Sequence, residues 1–95
     1  MDFLLEEGFS HDLIHQIQRR YDEAILDQFS LEEENVKDVI HYFQKIGIEP
    51  IDVLLLTRIE IFMKDVNEVK DAFLCHNIKQ VVEEINKDIH TIDSI

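Results

Sequence analysis

Residues 35–45 read N-V-K-D-V-I-H-Y-F-Q-K, and residues 77–87, 42 positions later, read N-I-K-Q-V-V-E-E-I-N-K. Both stretches open on a candidate cap, Asn35 and Asn77, and keep apolar residues at helical spacing. Both also place lysines at the same two steps, Lys37 with Lys79 and Lys45 with Lys87. Self-similarity at a period of 20 to 50 residues is the mark of helical arrays, in which each unit leaves an apolar face for its neighbour. A chain of 95 residues has room for two such units and little else.

The punctuation of the chain agrees with helices. It holds only two glycines and one proline. Gly47 follows the apolar series Val36, Val39, Ile40, Phe43 and Ile46, whose i, i+3, i+4, i+7 spacing describes one buried helical face, and it suits the residue just past a helix end. Ser30 with Glu33 forms a candidate capping box, and Glu32, Glu33 and Glu34 suit the positive end of the helix dipole, which predicts a helix over 31–46. Pro50 opens a helix from Ile51 to Arg58 whose run Val53, Leu54, Leu55, Leu56 is buried on most sides. A break follows near Arg58, because β-branched Ile59 and Ile61 weaken helix propensity.

Asp65 caps a helix through Phe73, with Val66, Val69, Ala72 and Phe73 inward, and Asn77 caps the last long one, with Ile78, Val81, Val82, Ile85 and Ile89 inward. In the first half Ser10 caps a helix from His11 to about Arg20, and 22–29 is a second helix or its continuation. No period-2 alternation competes with this reading. The expected architecture is all-α, a single domain over residues 1–95 of five to six helices. They form two tandem three-helix units, about 9–47 and 48–90, in a short stack or a compact orthogonal bundle. Gly8-Phe9 and Gly47-Ile48 precede the two units, and Arg19 and Arg58 take similar places within them. Phe3, Leu4 and Leu5 are candidates to cover one end and Ile89, Ile92 and Ile95 the other. An end left open would pair with a second copy or with a different partner, so a homodimer is allowed.

Gly47-Ile48, Leu54-Leu55, the run Arg58-Ile59-Glu60-Ile61-Phe62, then Val66, Val69 and a long amphipathic helix together resemble the mitochondrial transcription termination factor repeat. The resemblance covers most of the chain and implies three-helix units stacked into a curved solenoid, with nucleic acid as ligand. Ile59 stands where such repeats commonly carry proline.

Charge opposes that ligand. With 21 acidic against 9 basic residues the chain carries −12, and its pI is about 4.6, whereas nucleic-acid-binding domains present a basic face. Six basic residues recur across the units, Arg19, Arg58, Lys37, Lys45, Lys79 and Lys87; they would form a stripe or an ion-paired surface. Glu32, Glu33 and Glu34, with Asp22, Glu23 and Asp27, make the densest acidic region and suit a basic partner or a solvated helix face. An acidic immunity or antitoxin protein would show the same balance.

Catalytic signals are thin. His11 and His15 are four apart, a spacing that can hold zinc, but Asp12 follows where a metalloprotease needs glutamate and no third ligand is apparent. Exposed histidines are the expectation. Cys75 beside His76 lacks an orienting carboxylate and reads as a buried or half-buried cysteine at a helix end. No phosphate loop, nucleophile elbow or C-x-x-C occurs, so no enzyme activity and no cofactor are expected. No apolar run approaches the roughly 18 residues of a membrane span. The first residues lack a signal-peptide pattern, and a lone cysteine fits a reducing compartment, so the expected location is cytoplasmic. The functional expectation is a protein–protein interaction module, with a nucleic-acid-binding repeat as the alternative.

Overall fold

The computed structural model describes residues 2–95, and among them every regular element is a helix. In chain order these are α1 (Phe3–Glu6), α2 (His11–Arg20), α3 (Glu23–Leu31), α4 (Glu33–Ile46), α5 (Ile51–Thr57), α6 (Ile59–Phe62), α7 (Val66–Leu74) and α8 (Ile78–Lys87), then a 3-10 helix over Ile89–Ser94. Six of these have seven or more residues and correspond to the five to six expected. The others, α1 and α6 of one turn each and the 3-10 helix of two, cover ends or bridge a break.

Caps set most boundaries. The side chains of Ser10, Asp22, Asp65 and Asn77 each accept a backbone N–H from the first turn of α2, α3, α7 and α8, satisfying donors that have no partner inside a helix. Gly8 and Gly47 carry the only positive φ among the described residues, 93° and 94°. At each the chain leaves the preceding helix by one device. Phe9 and Ile48 donate back five residues to Leu4 and Phe43, while the glycines donate to Leu5 and Gln44, the paired bonds of a left-handed helix end.

Two expected caps are absent. Ser30 lies inside α3, and α4 begins after Glu32, whose side chain makes no capping bond; the capping box does not form because α3 runs through it to Leu31. Asn35 does not start a helix either. It sits in the first turns of α4 and reaches across to the α6–α7 turn. Its Nδ2 donates to the carbonyls of Phe62 and Lys64, and its Oδ1 accepts the N–H of Val66 at 2.9 Å.

Helix α4 is the axis of the core. It packs on α3, α5, α6, α7 and α8, and its Val36, Val39, Ile40 and Phe43 are fully buried. The Phe43 ring lies 5.4 Å from Phe62, nearly edge-on, and 5.7 Å from Phe73, favourable aromatic geometry beyond the area each ring buries. Phe3 and Leu4 close one end against Phe29, and Ile92 closes the other with Ile89 and Ile95 half-buried. A radius of gyration of 12.9 Å is close to the roughly 12.4 Å of a compact chain this long. The molecule is therefore a compact bundle, not an extended array. No helix among the described residues is long and apolar enough to cross a membrane.

Candidate interaction surface

The six recurrent basic residues have different fates. Arg58 occupies the break between α5 and α6, and its guanidinium grips Asp93 through two 2.8 Å bonds. That grip raises the Arg58 pKa and holds the Asp93 carboxyl below its ordinary range. Its job is to hold the 3-10 helix against the body. Lys37 pairs with Glu33 at 3.3 Å and reaches Glu6 at 3.9 Å, tying α4 to α1, and the Glu33 bond raises its pKa. Arg19, Lys45, Lys79 and Lys87 are exposed on α2, α4 and α8 and make no ion pair among the described residues. Of the acidic trio, Glu32 joins α3 to α4, Glu33 holds Lys37, and Glu34 faces solvent in the first turn of α4.

His11 and His15 lie exposed on α2, and among the described residues no three His, Cys, Asp or Glu side chains gather as a metal set. Cys75, expected buried or half-buried, is exposed. It follows inward-facing Phe73 by two positions, about 200° around the helix, and so falls on the outer side as α7 ends.

The most extended concave feature lies along α2 and α5. An open cleft of about 580 Å³ separates the Gly8 turn from the Gly47–Glu49 segment. It shares Ser10, Leu13 and Asp52 with a second depression, which shares Gln16 and Leu56 with a third beside Arg19 and Arg20. The three make one groove along parallel helices, both N-termini at one end and both C-termini at the other. Its floor is apolar, from Leu13, Ile48 and Ile51, with Val53 39% exposed on the rim. Each end is built by specific bonds. At the first, Asn86 accepts the N–H of Glu49 and donates to the carbonyl of Gly47, clamping the segment that forms the wall. At the second, the Tyr21 hydroxyl donates to the Leu56 carbonyl at 2.8 Å, one of the last-turn acceptors left free by α5. The Arg20 guanidinium lies 5.9 Å from the same ring.

Charge is divided along this groove. Glu7, Asp12, Glu49 and Asp52 line the end where the helices start, and Arg19 and Arg20 line the other. Within α2, Asp12, Gln16, Arg19 and Arg20 occupy one helical face in the order acid, neutral, base. Arg19 is a candidate from its recurrence, whereas the face it shares with Asp12, Gln16 and Arg20 shows in sequence only as an i, i+4, i+7, i+8 spacing. The Asn86 clamp and the Tyr21 bond span 35 or more residues and have no local signature.

A second pocket, about 260 Å³ beneath the 3-10 helix, has an apolar lining with Lys64 and Glu68 at its edge. It is smaller than the roughly 300 Å³ at which ligand pockets begin. Comparisons with protein families, curated proteins and solved structures found no match to this chain.

Proposed function

We propose that this chain is a non-enzymatic, cytoplasmic protein–protein interaction module that binds through the α2–α5 groove. The observation that carries the reading is an open channel with an apolar floor, an exposed valine on its rim and opposite charges at its two ends. Apolar contact supplies affinity and divided charge supplies orientation, the division of labour found in protein interfaces. The parallel course of α2 and α5 also supports two tandem units, since first helices of successive repeats run side by side. Nucleic-acid binding draws less support, because Arg58 and Lys37 are held by the chain's own carboxylates.

A photo-crosslinking residue at Val53, compared with one at exposed Gln80 on α8, tests this reading. Adducts heavier than the 11.3 kDa monomer should form from position 53 in cells and not from position 80. Equal yields at both positions, or none at 53, would sink it, as would turnover of any substrate by the purified chain.

A further inference from the structure

We infer that the groove binds a second copy of this chain, with the two α2–α5 faces antiparallel about a two-fold axis near Gln16; this rests on the interaction reading above. The order of charge along the groove carries the inference. An isologous interface needs a surface complementary to itself after a half-turn, so that i meets j and j meets i. A half-turn about Gln16 sets Asp12 and Asp52 of one copy against Arg19 and Arg20 of the other, twice, with Val53 and Leu56 near the axis.

Helix dipoles alone would place acids at N-termini and bases at C-termini, but they do not cancel this division. Each helix end carries at most about half a charge, so two parallel helices offset about +1 at one end and −1 at the other. Four carboxylates and two guanidiniums leave a surplus of about −3 facing about +1.

The net charge of −12 on each copy opposes association. At 0.15 M salt, charges more than about 8 Å apart are largely screened while contact pairs persist. Helix α2 is 10 residues, about 15 Å long. Even across 24 Å of body such a face falls short of the roughly 800 Å² per partner of stable complexes. The dimer is therefore weak and concentration-dependent.

Sedimentation equilibrium from micromolar to millimolar protein tests this at physiological salt. Wild type should show a reversible monomer–dimer equilibrium. Arg19→Glu with Arg20→Glu makes the whole rim acidic and should raise Kd more than tenfold; Asp12→Lys with Asp52→Lys makes the α2–α5 contacts basic and should do the same. Mixed in equal amounts, the two variants should form a heterodimer at least as tight as wild type, which also shows that both fold. Where the lysines weaken the first turns, Asp12→Asn with Asp52→Asn replaces them, removes the charge of the same contacts and should raise Kd by a smaller factor. A monomer at every concentration overturns the inference, as does a dimer indifferent to both variants or a mixture that stays apart. A monomeric wild type whose residue 53 crosslinks only to a different protein overturns self-pairing and leaves the interaction reading standing.

Discussion

Helices α4 and α8 carry the two most alike stretches of the chain and end in opposite circumstances. In α4, Val39, Ile40 and Phe43 are fully buried and five helices surround them. In α8 the corresponding Val81 and Val82 keep 8% and 7% of their surface, and only Ile85 is fully enclosed. Asn35 bridges another loop from within α4, whereas Asn77 caps its own helix. Lys37 is ion-paired and Lys79 is free among the described residues. A shared pattern of apolar and polar residues therefore specifies that a helix forms and which face turns inward. How many neighbours that face acquires depends on chain order: α4 has partners on both sides, and α8 lies at the edge.

The sharpest way to break this contrast is through the core. Phe43→Ala should cost about 4 kcal/mol and Ile85→Ala about 2–3 kcal/mol, read by urea denaturation; equal losses would mean that α8 is as central as α4. Next come the asparagines. Asn35→Ala should lose about 2 kcal/mol by stranding the Val66 N–H and two carbonyls, against about 1 kcal/mol for the Asn77 cap. A larger loss at Asn77 would reverse the assignment. Among the lysines, Lys37→Met should lower the urea midpoint slightly and Lys79→Met less than that, with the Lys37 effect shrinking in high salt.

The smallest expected effect is confined to the 3-10 helix behind α8. Arg58 lowers the Asp93 pKa, and the His90 backbone N–H, then its ring, lower that of Asp88. A depressed folded pKa contributes stability that is present above the ordinary value of 3.8 and lost as pH falls through the folded one. Amide exchange over Ile89–Ser94 should therefore quicken as pH is lowered from 5 through that window, after correction for the intrinsic rate, before the α4 amides respond. Simultaneous opening would mean that the grip on Asp93 is not what holds this turn.

Features that depend on a few adjacent residues were legible in sequence. Ser10, Asp65, Asn77 and Gly47 each act within one helical turn, and all four work as their local patterns imply. The break at Arg58 was legible too, in the β-branched residues after it. Ser30 and Asn35 show where local reading stops, since a good cap residue caps nothing when the preceding helix runs on or a distant loop offers better partners. The basic residues looked like a set because they recur, yet Arg58 found a carboxylate 35 positions away, and Lys37 pairs with Glu33 one turn back and only reaches Glu6, 31 positions away. The groove was half visible. Its charges lie on one face of α2, but its other wall comes from α5, and only packing brings the two together.

Gly8 and Gly47 set a limit on how freely this chain can be rewritten. A methyl group at Gly8 would meet nothing within 4 Å, and at Gly47 only Val82 at 3.8 Å. Side chains are refused there by backbone handedness alone, at roughly 1–2 kcal/mol each. Every other described residue has a φ open to ordinary L-amino acids. In an exhaustive substitution library, most exposed positions would accept nearly any residue, and these two open, roomy sites would stand out as intolerant islands on a permissive surface.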